Sequence, residues 1–239
     1  MRPEPIRSLA ALAIMSALCA CQPARGVPSA DGLVADVGGV QMLLPRSQAH
    51  LIETDPDPSG RTVVNSFGYE FRFQATAAAA RSEESAPTYP VAIEVGVQAA
   101  SRYGETGDAF LNTMGDLENK SIERFRPANR EIRRVDEVFG LVHYTSVAPS
   151  GAAPGTVLPS YADESFYVHR DSNGAVDAYV ECDNGTEGHA QCTEDFFAPR
   201  PIRARLAAQF PKTCLGLWRS IAADASALLV KWSQDVPAH

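Results

Sequence analysis

Apolar and polar residues alternate along most of this chain, and the alternation predicts a protein built mainly of strands. The predicted strands cover 39–45, 63–73, 89–97, 138–144, 165–170, 176–181, 192–197 and 202–210. Asn173-Gly174 lies between two of them and is a strong signal for a tight hairpin. Neighbouring strands with short connections indicate a mainly antiparallel β-sheet.

Two stretches change from the strand period to the helical period. The first covers 106–119, and Thr106 or Asp108 is suited to cap its start. The second lies at the C-terminus and presents a broad apolar stripe, made of Leu217, Trp218, Ile221, Ala225, Leu228, Leu229 and Trp232. We therefore predict an α+β fold, in which the sheet has a middle helix and a long C-terminal helix packed on it.

Proline and glycine divide the remainder of the chain. Residues 53–60 and 75–88 read as loops, and 149–160 reads as a loop or a hinge. Residues 21–36 have few large apolar side chains and predict a flexible tether. The pattern thus predicts one α+β domain over 37–239, with a candidate hinge near 149–160.

The first twenty residues have the composition of an export signal. Arg2 and Arg7 precede an uncharged run, 8–20, which is too short to cross about 30 Å of hydrocarbon as a helix. Leu18-Cys19-Ala20-Cys21 resembles the lipobox of bacterial lipoproteins, which implies cleavage before Cys21 and acylation of its thiol. The alternatives are Cys19 as acceptor, with a poorer match, and an ordinary signal with an incidental cysteine.

The charge of the chain argues against one class of partner. Its formal net charge is −8, and removal of residues 1–20 leaves −9, because that segment has two arginines and one glutamate. Nucleic-acid binding needs a basic face, so we predict no nucleic-acid partner. Acidity is compatible with a basic partner, and solubility explains it equally well.

Three cysteines remain once Cys19 and Cys21 are assigned to the signal and the anchor. Export places them in an oxidising compartment, where Cys182 and Cys192, on either side of a nine-residue insert, predict a disulfide. A metal site is the alternative, and His189 is its nearest further ligand. Cys214 lies beside the apolar helix and predicts a buried, inert thiol.

No known catalytic motif is present. The chain has no Gly-x-Ser-x-Gly, no Ser-x-x-Lys and no His-Glu-x-x-His sequence. His143 and His169 lie within strand patterns, which is typical of structural or surface histidines. We therefore predict a non-enzymatic binding protein with no cofactor and no metal.

The acidic residues fit the same interpretation. The pairs Asp163-Glu164 and Glu194-Asp195 are interpreted as solvated charge rather than as an acid–base pair. Asp171-x-Asn173 is similar to the start of a calcium-binding loop, but Val176 stands where that loop needs glycine. A hairpin turn explains these residues more simply.

Two blocks resemble a known class of proteins. They are Gly38-Gly39-Val40-Gln41-Met42-Leu43-Leu44-Pro45-Arg46, and a discontinuous block formed by Phe166–Asp171, Cys182, Cys192-x-x-x-Phe196 and Trp218-Arg219-x-Ile221. Together they are similar to small proteobacterial lipoproteins regarded as immunity proteins of contact-dependent toxin secretion, of type VI or a similar system. The chain departs from the pattern at Cys214.

This resemblance implies a secreted toxin as partner and a location where the two would meet. Gln22 rather than aspartate after Cys21 implies the periplasmic side of the outer membrane, and the toxin would then be a lipase or a peptidoglycan hydrolase. Function tends to lie on loops, so we expect contacts from 53–61, 75–88, 149–160 and 183–191. The alternatives are an envelope lipoprotein for assembly or ligand binding, and an unrecognised hydrolase.

Overall fold

The structure is a computed structural model that describes residues 28–29, 32–74, 90–103, 107–117, 131–147, 164–183 and 190–237. The strands are β1 Pro28–Ser29, β2 Gly32–Val37, β3 Val40–Pro45, β4 Ala49–Pro56, β5 Thr62–Phe73, β6 Val91–Ala99, β7 Glu131–Val138, β8 Leu141–Val147, β9 Glu164–Arg170, β10 Val176–Asp183, β11 Gln191–Phe197 and β12 Ala204–Pro211. The helices are α1 Ala100–Tyr103, α2 Phe110–Gly115 and α3 Trp218–Gln234, and 3₁₀ turns cover Gly107–Ala109 and Lys212–Leu217.

These strands form one sheet. Their order is β1-β2-β5-β6-β12-β11-β10-β9-β8-β7, with β3 paired to β2 and β4 paired to β5. Among the described strands, β2 and β5 form a short parallel pair, and the other pairs are antiparallel. The predicted α+β fold with a mainly antiparallel sheet is confirmed.

The two ends of this sheet carry different features. We call one the turn end, because it holds the β7–β8 turn at 139–140, the β9–β10 turn at 171–175 and the β11–β12 connection at 198–203. We call the other the disulfide end, where Cys182 of β10 pairs in register with Cys192 of β11. Because adjacent strands are antiparallel, successive connections alternate between these two ends.

The C-terminal helix covers one face of the sheet, as predicted. Its buried residues Ile221, Ala225, Leu229 and Trp232 pack against apolar side chains of β3, β5 and β12. The Tyr69 hydroxyl donates a hydrogen bond of 2.9 Å to the carbonyl of Ala225. This bond gives the buried Tyr69 hydroxyl a partner inside the interface and helps to fix the position of α3 on the sheet.

The same stretch has a second, weaker signal. Within the described residues, Lys212–Gln234 is long and apolar enough to cross a membrane, judged by length and composition alone. Its apolar stripe, however, is buried on the sheet, while Asp224 and Lys231 lie at exposed positions. One buried and one polar face are typical of a helix packed on the core of a domain.

The middle helix is shorter than the sequence predicts. A helix over 106–119 was expected, but α2 has six residues, and a 3₁₀ turn precedes it. Leu111 and Met114 of α2 are buried on the second face of the sheet. The helical period therefore identified the apolar face, but Asp116 leaves the helical conformation at ψ 56° and ends the helix.

Neither of the expected capping residues occupies the N-cap position of α2. Ala109 occupies the N-cap position and makes no side-chain capping bond. Asp108 lies inside the 3₁₀ turn that leads directly into α2, and Thr106 lies outside the described residues. The 3₁₀ turn brings the chain into α2 with a helical backbone at Ala109.

The predicted tether overlaps the sheet. Gly32–Val37 forms β2, which pairs along its whole length with β3 and briefly with β5, and Pro28–Ser29 pairs with the start of β2. The boundary at residue 36 is therefore wrong. Small residues such as Gly32 and Ala35 satisfy close packing here, since a Cβ on Gly32 would lie 2.5 Å from the carbonyl oxygen of Leu44.

Two further predicted elements need correction. Residues 53–60 were expected to be a loop, but Ala49–Pro56 forms β4. This strand pairs with β5 at the edge of the sheet, where proline is tolerated. Residues 138–144 were expected to form one strand, but the chain turns there at Phe139 and Gly140, both with positive φ. The charged residues before the turn form β7, an edge strand that needs little burial.

Candidate partner-binding cleft

Three segments meet at the turn end and enclose a cleft of about 560 Å³. They are α1 with the nearby helix α2, the β9–β10 turn, and the β11–β12 connection. The lining residues are Tyr103, Asn112, Asp171, Ala175, Val176, Phe197, Ala198, Arg200, Pro201, Ile202, Arg203 and Ala204. A volume of this size is typical of binding clefts.

Backbone hydrogen bonds hold the β11–β12 connection in place. The amide of Ala198 donates to the carbonyl of Ala204 at 2.9 Å, and that of Ile202 donates to Pro199 at 3.1 Å. The amide of Arg203 donates to the carbonyl of Gly38 at 3.0 Å. The connection is therefore tied both to itself and to the β2–β3 turn.

Gly38 is needed for this last contact. Its φ is +59°, and a Cβ at this position would lie 2.3 Å from the carbonyl oxygen of Arg203. Any side chain would push the two segments apart. Gly38, the first residue of the first resemblance block, thus allows the β2–β3 turn to pack against the β11–β12 connection.

The β9–β10 turn is fixed by its own side chain. Asp171 Oδ1 accepts hydrogen bonds from the amides of Asn173 and Ala175, each at 2.9 Å. The amide of Gly174, whose φ is +82°, donates to the carbonyl of Asp171 at 3.0 Å. The hairpin predicted at Asn173-Gly174 is confirmed, and Asp171 organises the turn.

The cleft combines aromatic walls with positive charge. The rings of Tyr103 and Phe197 meet edge to face with centroids 6.2 Å apart, and the Arg203 guanidinium lies 5.8 Å from the Tyr103 ring. Arg200 and Arg203 are exposed. Neither forms an ion pair with an acid in the part of the chain that the structure describes.

A smaller pocket of about 110 Å³ shares Tyr103 with this cleft. Both of its arginines are engaged, in contrast to those of the cleft, and Arg102 pairs with Glu53 at 3.2 Å. The Arg205 guanidinium lies 3.6 Å from the ring centroid of Phe110, and its Nε lies 3.6 Å from a carboxylate oxygen of Asp195. Of these two pockets, the larger cleft is therefore the one whose arginines have no ion pair among the described residues.

The two strand histidines bind neighbouring carboxylates. His143 Nδ1 lies 2.8 Å from Asp136, and its ring stacks on Tyr167 at 4.6 Å. His169 Nδ1 bonds to Asp177, while its Nε2 lies 2.9 Å from an Arg219 nitrogen. Since a guanidinium only donates, Nε2 of His169 accepts and Nδ1 holds the proton shared with Asp177.

Glu194 contradicts the expectation of solvated charge. Its side chain is 0% exposed, and within the described part of the chain neither carboxylate oxygen has a hydrogen-bond partner. Burial, and then the carboxylates of Asp195 and Asp177, raise the pKa of Glu194 well above its usual value. The period of two in β11 explains the placement, because Glu194 lies between Cys192 and Phe196 on the core face.

The predicted disulfide between Cys182 and Cys192 is present, and Cys214 is a buried free cysteine, as expected. His189 and Cys21 lie outside the described residues. Within the described residues, no cluster of three or more His, Cys, Asp or Glu side chains is arranged to hold a metal.

Of the four loops expected to contact a partner, the structure describes 53–61 in full and only the ends of 183–191. The turn at 57–60 follows β4, at the turn end of the sheet. Residues 75–88, 149–160 and 184–189 lie outside the described residues, and the strand ends that flank them are at the disulfide end. The described elements of the predicted contact surface therefore do not form one patch.

No protein-family model matches the chain, and no curated protein matches its sequence. Its fold is similar to a solved structure of an immunity protein of the type IV secretion system of Stenotrophomonas maltophilia. The TM-score is 0.51, with 12% identity, over 89% of this chain and 99% of the other. The likeness is one of fold. It spans nearly the whole of both chains.

Sequence reasoning missed the cleft itself. Arg200 falls between the predicted strands 192–197 and 202–210, and Arg203 falls within the second, so neither was predicted as a site residue. A signal was available in Pro199-Arg200-Pro201, where two prolines between strands predict a defined turn with an arginine at its tip. The approach of α1, which brings Tyr103 to the same place, has no counterpart in the local sequence.

Proposed function

We propose that this protein is an immunity protein, which binds a secreted toxin and neutralises it without turnover. The observation that supports this function is the likeness of its fold, over nearly its full length, to an immunity protein of a bacterial secretion system. The sequence resemblance described above indicates the same class of protein, and it rests on sequence motifs rather than on the fold. A cleft with unpaired arginines provides a surface for a protein partner.

We further propose that the protein acts at the cell envelope. The sequence Leu18-Cys19-Ala20-Cys21 supports a lipid anchor on Cys21, and Gln22 supports the periplasmic side of the outer membrane. A protector at that place would meet a toxin that attacks phospholipid or peptidoglycan. The similar structure belongs to a type IV system, and the sequence resemblance pointed to a type VI or similar system, so both are kept as candidate sources of the toxin.

The function is tested with a secreted lipase or peptidoglycan hydrolase that is found encoded beside the gene, which serves as the toxin candidate. Residues 22–239 are expected to bind this protein and abolish its hydrolysis of labelled phospholipid or peptidoglycan at near-equimolar ratio. Alone, they should hydrolyse neither substrate. Stoichiometric loss of activity distinguishes neutralisation from a protein that degrades the toxin, for which substoichiometric amounts would suffice.

A competition assay gives the corresponding result in cells. A deletion strain should lose viability beside sister cells that have the secretion system and survive beside sisters that lack it. Equal survival beside both would contradict the immunity function and favour an envelope lipoprotein without a toxin partner. Hydrolysis by the purified protein alone would favour an enzyme instead.

The anchor has its own test. Cys21→Ser removes the acceptor thiol, so the protein should move from the membrane fraction to the soluble periplasmic fraction, and Cys19→Ser should leave it at the membrane. Mass spectrometry should find acyl groups on Cys21 of the wild type, since several buried acyl chains make a stable anchor. Membrane retention of Cys21→Ser together with an unacylated wild type would contradict the proposal.

A further inference from the structure

We infer that the cleft at the turn end receives an acidic segment of the toxin, whose carboxylates bind Arg200 and Arg203. This inference rests on the proposed function and deepens it by naming the surface and the chemistry of its partner. The region is distinct from the loops that sequence reasoning selected. It lies on the β11–β12 connection, the β9–β10 turn and α1.

The two arginines of the cleft carry charge that no acid of the described residues neutralises. The chain has 29 acidic and 21 basic residues, and some of its arginines pair with an acid. Arg61, Arg102 and Arg205 do so, with Asp57, Glu53 and Asp195 respectively. Arg200 and Arg203 form no such pair among the described residues, and neither do the exposed Arg46, Arg72, Arg133 and Arg134. Arg200 and Arg203 differ from these in that both line one cleft, three positions apart on one short connection. Two adjacent unneutralised guanidiniums in an acidic protein favour an anionic partner.

The surroundings of the two arginines favour a polypeptide over a small anion. Phe197 is half-buried in the same cleft and offers apolar surface to a side chain that flanks a carboxylate, while Tyr103 and Ile202 of the lining are 9% and 5% exposed. Arginine is typical of the energetically dominant residues at protein interfaces. A guanidinium can also bind a carboxylate through two parallel hydrogen bonds, which sets the orientation of the partner.

Asp171 is the acidic residue of this lining, and its side chain holds the β9–β10 turn together. Its Oδ1 already accepts hydrogen bonds from two backbone amides of the β9–β10 turn. The lining therefore holds two arginines and one aspartate that is occupied by its own turn. An incoming carboxylate would thus face a net positive rim.

The cleft is also built in advance of binding. The amide of Arg203 is held by the Gly38 carbonyl, and the connection is closed by the bonds of Ala198 and Ile202. Side chains on a rigid connection lose less conformational freedom when a partner binds. Both arginines are therefore presented by backbone that is already ordered, which is the property that a fast and tight inhibitor needs.

The test compares two double charge reversals in the full mature chain, with the toxin candidate encoded beside the gene as the probe. Arg200→Glu with Arg203→Glu should weaken binding by at least a hundredfold and raise the concentration needed for neutralisation equally. Arg133→Glu with Arg134→Glu makes the same charge change on the exposed edge strand β7 and should change affinity less than threefold. Circular dichroism before binding checks that each variant is folded.

Milder variants keep the test valid if a reversal disturbs folding. Arg200→Gln with Arg203→Gln removes both charges without introducing acids and should weaken binding by at least tenfold. Reversal of the contacting toxin acid to lysine should restore binding to the Arg203→Glu variant. This rescue requires a direct charge pair, so a general loss of stability would not produce it.

The outcomes separate the two proposals. Wild-type affinity for the cleft variants, with an intact wild-type complex, overturns the cleft and leaves the immunity function standing. A loss confined to the β7 reversal also overturns the cleft and moves the interface to the edge strand. If the wild-type chain neither binds nor neutralises the toxin, the immunity function and the cleft both fail.

Discussion

Trp232→Ala is expected to lower the free energy of unfolding by about 3–5 kcal/mol, which is the usual cost of deleting a buried aromatic side chain. Trp232 is 2% exposed at the last turn of α3. Its ring meets Tyr69 edge to face at 5.1 Å and lies 6.3 Å from Phe67, so the loss would leave a cavity between the helix and β5. The Tyr69 ring, whose hydroxyl donates to the carbonyl of Ala225, would lose its contact with the Trp232 ring.

Urea unfolding followed by far-ultraviolet circular dichroism is the suitable measurement. Fluorescence is not, because the chain has two tryptophans and the variant removes one of them. Trp232→Phe should recover part of the lost stability, and Gln234→Ala, at an exposed position of the same helix, should change it by less than about 0.5 kcal/mol. A cost below about 1 kcal/mol for Trp232→Ala would show that α3 does not hold the sheet face together.

Glu194→Gln is expected to remove a loss of stability that the wild type undergoes as pH rises. Burial raises the pKa of Glu194 in the folded protein, whereas in the unfolded chain it returns to about 4.5. Below pH 4.5, the carboxyl is protonated in both states. Above it, the unfolded chain releases the proton and the folded protein keeps it, so the stability of the fold decreases by up to about 1.4 kcal/mol per pH unit until the folded pKa is reached.

The measurement is the free energy of unfolding of the wild type and of Glu194→Gln between pH 4 and 8. The free energy of unfolding of the variant should rise steadily with pH relative to that of the wild type, because an amide has no proton to release in this range. Glu137→Gln, on the exposed edge strand β7, removes one carboxylate from the surface and should follow the wild type in parallel. Parallel curves for wild type and Glu194→Gln would mean that this carboxyl titrates normally and has access to solvent.

Most of the fold could be predicted because its strands are amphipathic. The hairpin at 171–174, the strands on either side of Cys182 and Cys192, and the C-terminal helix have local patterns that match their surroundings in the sheet. Their period agrees with their burial. At these places local preference and tertiary packing favour the same structure.

The errors lie where local preference is weak and a neighbouring strand decides. Gly32–Val37 has the small residues of a tether, yet pairing with β3 makes it a strand. The charged residues before Phe139 resemble a surface segment, yet pairing with β8 makes them the edge of the sheet. Strand propensity is set largely by neighbours, and the sequence does not display those neighbours.

The candidate site divides in the same way. The sequence by itself determined the cysteines that form the disulfide. The export signal that it predicts lies outside the described residues, and the burial of Glu194, which was interpreted as solvated charge, was seen only in the structure. Only the tertiary structure decided that Tyr103, Asp171 and Arg203 line one cleft, although about 100 residues separate the first from the last. Period and composition are local properties, whereas a cleft arises from the order of strands in the sheet, which depends on pairing between distant segments.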